Sequence, residues 1–427
     1  MSKIANKRGA GANTIVRRYY GLWWLYALAS GTVYGVYPLF LRARGLSQLE
    51  MNSVLATYFF VMFLSDVPTG AFADALGRRR SFVLGCALRM TAYTVYFFGA
   101  HYIIFLAAET IDGVGTTFCN GTLDAWAVDA LDATGAAAPK DRMFSRGGQL
   151  TSFGAMIAAI IGSRVAAIHI GWPWIIGASG FLVTGIVGSR LMEREVVHQA
   201  ILNPAAIVRE LASRIARGMR HGMTNAPVLM MSIANGLAMA AWAPYWLEWP
   251  QFFNDRYRIG IWIVGWIFSL FTLANMIGAE AVVRFGAGAS RRGEWLAVAA
   301  LGSGAMFMAA SFATGRPSLA LASLFGMNVL AGAMQPMARA WLNEHLLADN
   351  RATLLSFNST FATLGAATGL LAGGTIADAH GFTIAWRVGG VLLMLSAPCF
   401  WVIRRTPACP ATASETPAPP AAVDPAR

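Results

Sequence analysis

Five side chains, Glu109, Asp112, Thr116, Asn120 and Asp124, stand three, four, four and four residues apart in an otherwise apolar stretch. At about 100° per helical residue they fall within an arc of roughly 120°, forming one polar stripe. The stretch contains no basic residue to neutralise Glu109 or Asp112. A carboxyl buried without a cation suits the binding and release of a proton near physiological pH. Asp112, nearer the middle of the stretch, is the first candidate, with Glu109 beside it. Asp66 and Arg89 lie at similar distances either side of the turn at 77–80, so a hairpin would place them at similar depth. They read as an ion pair, or as charges that separate when a proton binds.

The elements that must position these residues are long and apolar. Of 427 residues, 56% are hydrophobic and 13% charged, about half the charge of a soluble chain; the mean hydropathy is +0.52. Runs of roughly 20 apolar residues recur, each long enough to cross a bilayer as a helix. They fall at about 18–40, 51–73, 81–100, 103–130, 147–168, 172–192, 227–250, 260–283, 293–313, 318–342, 353–376 and 383–403. The expected fold is therefore an all-α membrane protein of twelve transmembrane helices in two six-helix bundles. Placing the N-terminus inside leaves about 24 Lys and Arg on the inner side and about 5 outside (Arg42, Arg44, Arg256, Arg258, Arg316). Both termini are thus expected to be cytoplasmic, with the chain multi-pass in the cell's inner membrane and acting as a monomer.

The expected division is an N-terminal arm at 1–17, a first bundle at 18–192, a central loop at 193–226, a second bundle at 227–405 and a disordered tail at 406–427. In the central loop, Asn203 would cap a helix beginning at Pro204 and ending near Gly222. Val208, Leu211, Ile215 and Met219 form its apolar face, while Arg209, Arg214, Arg217 and Arg220 lie mostly off it. Such a helix either lies on the membrane surface or links the bundles through solvent. A faint repeat relates the halves: Asp124-Ala-Trp-Ala-Val-Asp129 resembles Arg339-Ala-Trp-Leu-Asn-Glu344 at an equivalent place.

Other first members of the four helix triplets carry polar faces as well. Tyr26, Ser30, Tyr34 and Tyr37 share one face of the first span. Asn235, Trp242, Tyr245, Trp246 and Trp249 do so on the seventh, and Asn328, Gln335 and Arg339 on the tenth. These faces either converge on a central cavity or serve interhelical hydrogen bonding and an aromatic belt. Gly365, Gly369 and Gly373 form a doubled GxxxG, a close helix-packing face.

Several functions are excluded. The net charge of +12 is spread over inner loops, where it meets anionic lipid rather than nucleic acid. The four cysteines (86, 119, 399, 409) form no CxxC pair, and the six histidines (101, 169, 198, 221, 345, 380) show no metal-ligand spacing. No nucleophile elbow or phosphate-cradling loop occurs. Neither enzyme activity nor a metal or cofactor is expected.

The block from Gly70 to Arg80, with Gly70, Asp74, Gly77, Arg78 and Arg79, resembles the signature loop of the major facilitator superfamily, and the resemblance extends over residues 15–405. It implies that Asp74 and Arg78 form an inner gate latch, joined by an acid at the end of the fourth span, Asp124 or Asp129. Ala75 replaces the usual basic residue, and the second-half counterpart around Gly278 to Arg292 is degraded. Asp66-Val-Pro-Thr-Gly and Arg351-Ala-Thr-Leu-Leu-Ser are similar to drug- and metabolite-efflux members, although the stretch Gly154–Gly162 lacks the proline of many proton-coupled exporters. The expected function is proton-coupled antiport of amphipathic small molecules, of the kind that confers drug resistance. The alternatives are an uptake symporter for a nutrient or organic anion, with Arg89 and Arg339 as substrate ligands, and a membrane sensor or scaffold that transports nothing.

Overall fold

The computed structural model describes residues 2–135, 140–193, 204–285, 291–313, 315–345 and 351–404. Every regular element among them is an α-helix, which satisfies backbone polar groups within the segment where no water is present. The first half comprises α1 (Ser2–Gly31), α2 (Tyr37–Ala43), α3 (Gln48–Leu76), α4 (Arg78–Phe98), α5 (Tyr102–Cys119), α6 (Thr122–Thr134), α7 (Lys140–Ala166) and α8 (Trp172–Leu191). A connecting helix, α9 (Pro204–Thr224), leads to the second half: α10 (Ala226–Tyr257), α11 (Ile261–Phe285), α12 (Arg292–Phe312), α13 (Pro317–His345), α14 (Arg351–His380) and α15 (Phe382–Ile403). Among the described residues, 11 helices are long and apolar enough to cross a membrane, with α5 and α6 counted together. Helix α1 is not one of them, because Arg17, Arg18 and its Tyr and Trp residues lower its hydropathy. It still packs against α7 and α8.

Two expected helices are broken, and both breaks bear on the site. The first span ends at Gly31, and the chain turns before α2, which has Pro38 in its first turn. The fourth span stops at Cys119; Gly121, at φ 65°, takes a left-handed conformation that glycine adopts without strain. The expected single stripe is therefore divided, with Asp124 on a separate helix. Helix also extends through the expected arm at 2–17, and α10 continues past the expected end at 250.

Each half has its own aromatic-rich core. In the first, Tyr96 stacks on Trp174 with centroids 4.0 Å apart. In the second, Trp386 meets Phe252 at 4.2 Å and Phe307 at 5.3 Å. Helices α10 and α14 approach closely, as the glycine spacing anticipates: a Cβ on Gly369 would stand 2.2 Å from the Ala240 carbonyl oxygen. Helix α9 packs on α14, where a Cβ on Gly222 would meet the Phe357 ring at 2.4 Å. The described Arg209, Arg217 and Arg220 are exposed. Asn203, the expected cap, and the expected tail at 406–427 lie outside the described residues.

The halves meet through α3 against α14 and α7 against α11. Their mutual hydrogen bonds cluster towards the far end of the bundle, opposite the start of α1. There Ser163 donates to the Trp262 carbonyl at 3.1 Å and Asn52 to that of Leu370 at 2.8 Å. The Arg164 guanidinium lies 4.3 Å from the Trp262 ring centroid, a cation–π contact between the halves.

Candidate functional site

Glycines at Gly85 and Gly115 bring α4 and α5 together, since a Cβ on Gly115 would lie 2.8 Å from Arg89 Cγ. Arg89 thereby reaches across to α5 and donates from Nε to Asp112 Oδ1 at 2.8 Å and from Nη2 to Oδ2 at 3.0 Å. This fork-to-fork geometry is the strongest that a carboxylate and a cation can form. Nη1 donates to the Tyr26 hydroxyl at 2.6 Å, and the Phe181 ring lies 4.5 Å from the guanidinium. The expected pairing of Arg89 with Asp66 does not occur: Asp66 is exposed on α3, while Asp112 is buried beside the guanidinium. The Arg89 side chain reaches to α5 rather than to α3, which leaves Asp66 without it.

Glu109 is buried one turn away and receives a hydrogen bond from the Tyr96 hydroxyl. The Tyr96 and Tyr37 hydroxyls are themselves 3.1 Å apart. No ion pair holds Glu109 among the described residues, whereas Asp112 has both oxygens engaged.

These groups border a cavity of about 320 Å³, lined by Tyr34, Tyr37, Tyr58, Arg89, Tyr93, Tyr96, Glu109, Asp112, Trp174, Trp246, Leu247 and Phe268. It lies between the halves, with α10 and α11 supplying Trp246, Leu247 and Phe268. Of the expected cavity residues, Tyr34, Tyr37 and Trp246 line it. Tyr26 and Thr116 stand behind it, Tyr26 holding Arg89 and Thr116 accepting from Tyr58 at 3.3 Å. Tyr245 and Asn328 face one another inside the second half, 3.1 Å apart, with Asn275 donating to Asn328 at 2.8 Å. Trp242 packs edge-on to Tyr245, 5.3 Å between centroids. Asn235, Gln335 and Arg339 lie nearer the terminal side and do not line this cavity, and Asn120 is exposed at the break after α5. Of the tenth-span stripe, Asn328 is thus held within the second half, whereas Gln335 and Arg339 are exposed.

At the terminal side, Gly77 has φ 92° and turns the chain directly into α4. Arg78 binds Asp74 at 2.8 Å and Asp129 at 3.8 Å. Of the two acids considered, Asp129 is the one that reaches Arg78. Asp124 instead accepts from the Tyr19 hydroxyl at 2.8 Å and the Trp23 indole at 3.2 Å. Arg79 is half-buried, and space around Gly70 is open. The second half carries an analogous contact although its loop motif is degraded: Arg292, opening α12, pairs with Glu344 near the end of α13. Trp126 and Trp341, at matching repeat positions, are both buried. Because the Asp129 side chain is 59% exposed, Asp129→Asn should lower the unfolding free energy by less than about 1 kcal/mol. Thermal melting of the purified protein measures this, and a loss of several kcal/mol would contradict it.

The polar contacts that join the halves on the far side went unnoticed in the sequence. Gln251 of α10 donates to Gln48 at 2.8 Å, Gln48 to Asn52 at 2.9 Å, and Asn52 to Leu370 of α14. Asp378 of α14 accepts the backbone N–H groups of Gln48 and Leu49, each at 2.9 Å. A carboxylate from the second half therefore caps a first-half helix, where orphan amides and the helix dipole favour it. Arg42 and Asp255 add an exposed ion pair across the same line. Only the local signal was readable: Ser47 and Glu50 form a capping box at the start of α3.

The sequence profile of the Major Facilitator Superfamily matches residues 22–279 and 228–426. No curated protein matches the chain by sequence. Among solved structures, a mutant of the nucleoside transporter NupG superposes with a TM-score of 0.77 at 12% identity, covering 91% of this chain and 99% of its own. A D-xylose–proton symporter gives 0.70 at 15% identity, covering 93% and 99%. The human organic anion transporter MFSD10 gives 0.63 at 15%, covering 91% and 99%. With the profile spanning nearly the whole chain, this multi-pass membrane protein is a transporter of small molecules rather than an enzyme, and it belongs to the Major Facilitator Superfamily.

Proposed function

We propose that the chain is a proton-coupled exporter of amphipathic small molecules, working by alternating access as a monomer. In this reading α1 is the first of twelve crossing helices and both termini are cytoplasmic in the inner cell membrane. The gate at Gln48, Gln251 and Asp378 then makes the present state closed outside and inward-facing. The carrying observation is the aromatic cavity with Glu109 at its wall, held by tyrosine hydroxyls and by no cation. Aromatic walls suit flat apolar groups, and an uncompensated carboxylate suits a cation, either a proton or the charged end of a substrate. Charge buried without a partner is costly, and binding a proton removes that cost. Asp112 is already neutralised by Arg89, so the proton site is assigned to Glu109 and the Arg89–Asp112 pair to its support.

Glu109→Gln keeps shape and hydrogen bonding while removing the titrating group. In proteoliposomes preloaded with a fluorescent cationic dye, it should abolish the acceleration of flux by a proton gradient, leaving gradient-independent exchange. Undiminished acceleration in this variant refutes the assignment.

One observation favours a second reading. The Arg89 guanidinium borders the cavity, and a displaced Asp112 would free it for an organic anion in an uptake symporter. An inwardly directed proton gradient then drives accumulation of the anion, whereas an exporter uses the gradient to move substrate in the opposite direction.

A further inference from the structure

Away from the central cavity, a cavity of about 40 Å³ lies inside the second half, between α10, α14 and α15. Its walls are formed by Pro244, Phe307, Gly369, Gly373, Leu392 and the side chain of Glu248. Glu248 is 1% exposed, and its Oε1 has no hydrogen bond. The Trp386 indole approaches the carboxyl, yet its Nε1 is likewise left without a hydrogen bond. No other titratable group lines the space. On the helices packed around α10, Asp378 of α14 is committed to the amides of Gln48 and Leu49, and Arg387 of α15 lies over the Phe312 ring. Arg42 of α2 is paired with Asp255, Glu50 of α3 with the start of its own helix, and Arg339 of α13 is exposed towards the terminal side.

An isolated carboxylate in such a space is tolerated only if it carries a proton or draws in water. Glu248 also follows Leu247 of the central cavity wall and stands three positions before Gln251, whose amide bridges to Gln48. Water entering beside Glu248 would part α10 from α14, the helices that contribute Gln251 and Asp378 to the closed gate. We infer that Glu248 is a second proton-binding group, whose protonation holds the far-side gate shut and whose deprotonation releases it. The step is a simple proton binding, carboxylate plus proton giving the neutral acid. It rests on the transport reading above but concerns a different carboxyl from Glu109.

The test uses the full-length protein with Cys399 and Cys409 replaced by serine and spin labels on Ala43→Cys and Arg256→Cys, two exposed positions on opposite halves at the far side. Pulsed dipolar spectroscopy over a range of pH should show the short-distance population shrinking as the pH rises. With Glu248→Gln the short population should persist at every pH, and with Glu248→Asp the response should return. Retention of the full pH response in Glu248→Gln overturns the inference and assigns gating to Asp378 or Asp255. Glu109→Gln should leave this distance response intact, so failure of the Glu109 assignment appears in flux and failure of the present one in distance. If Glu248→Gln does not fold, Glu248→Met serves as the second variant without a titrating group: its short population should persist at every pH, and a retained pH response rejects the inference.

Discussion

Arg89→Ala is expected to abolish transport and to lower stability by about 3–5 kcal/mol, the cost of leaving one member of a buried ion pair unpartnered. Arg89 and Asp112 are only 5% and 9% exposed at their side chains, so the carboxylate left behind loses its main partner in a largely buried place. Tyr26 and Tyr93 would also lose their shared partner. The thermal midpoint in detergent and flux in proteoliposomes measure the two effects. The double variant Arg89→Met with Asp112→Asn separates them, since it removes both charges: stability should largely recover while transport should not. A single variant as stable as the parent would show that the pair is hydrated in the working protein.

Gly265→Val should act on the conformational equilibrium instead. Gly265 of α11 faces α7 across the boundary between the halves, where a Cβ would stand 2.2 Å from the Ala159 carbonyl oxygen and 2.4 Å from Ser163 Oγ. Backbone cannot yield as a flexible side chain does, and overpacking of this kind costs about 1–3 kcal/mol. That penalty falls on the state in which α7 and α11 touch, so the ratio of far-side-closed to open molecules should drop by roughly fivefold to 150-fold. The spin-label pair at 43 and 256 reads the population, and transport should fall with it. Each half keeps its own core, so secondary structure and membrane insertion should remain unchanged. An unaltered distance distribution would show that the halves meet less closely in the membrane.

Much of the architecture was legible without coordinates because hydropathy and helix length are local properties of a chain in a bilayer. The long apolar runs and the glycine seam at Gly365 and Gly369 follow from composition and spacing along one helix. The loop from Gly70 to Arg79 was equally readable, since turn chemistry and positive charge occur within a few residues. Where local reasoning failed, a backbone break intervened: the Asn120-Gly121 step ended α5, and the turn after Gly31 ended α1, although neither region looked unlike helix by hydropathy.

The sequence alone thus determined that Glu109 and Asp112 share a helix face in an apolar stretch. The tertiary structure alone decided which carboxyl is neutralised. That choice depends on the rotation of α4 against α5, set by glycine contacts between helices, and it gave Arg89 to Asp112 while leaving Asp66 exposed. Tertiary structure likewise paired Asn328 with Tyr245 and Asn275, joined the halves through Gln48, Gln251 and Asp378, and isolated Glu248 in an apolar niche. Each is a contact between residues far apart in the chain, where periodicity gives the face of a helix but not its neighbour.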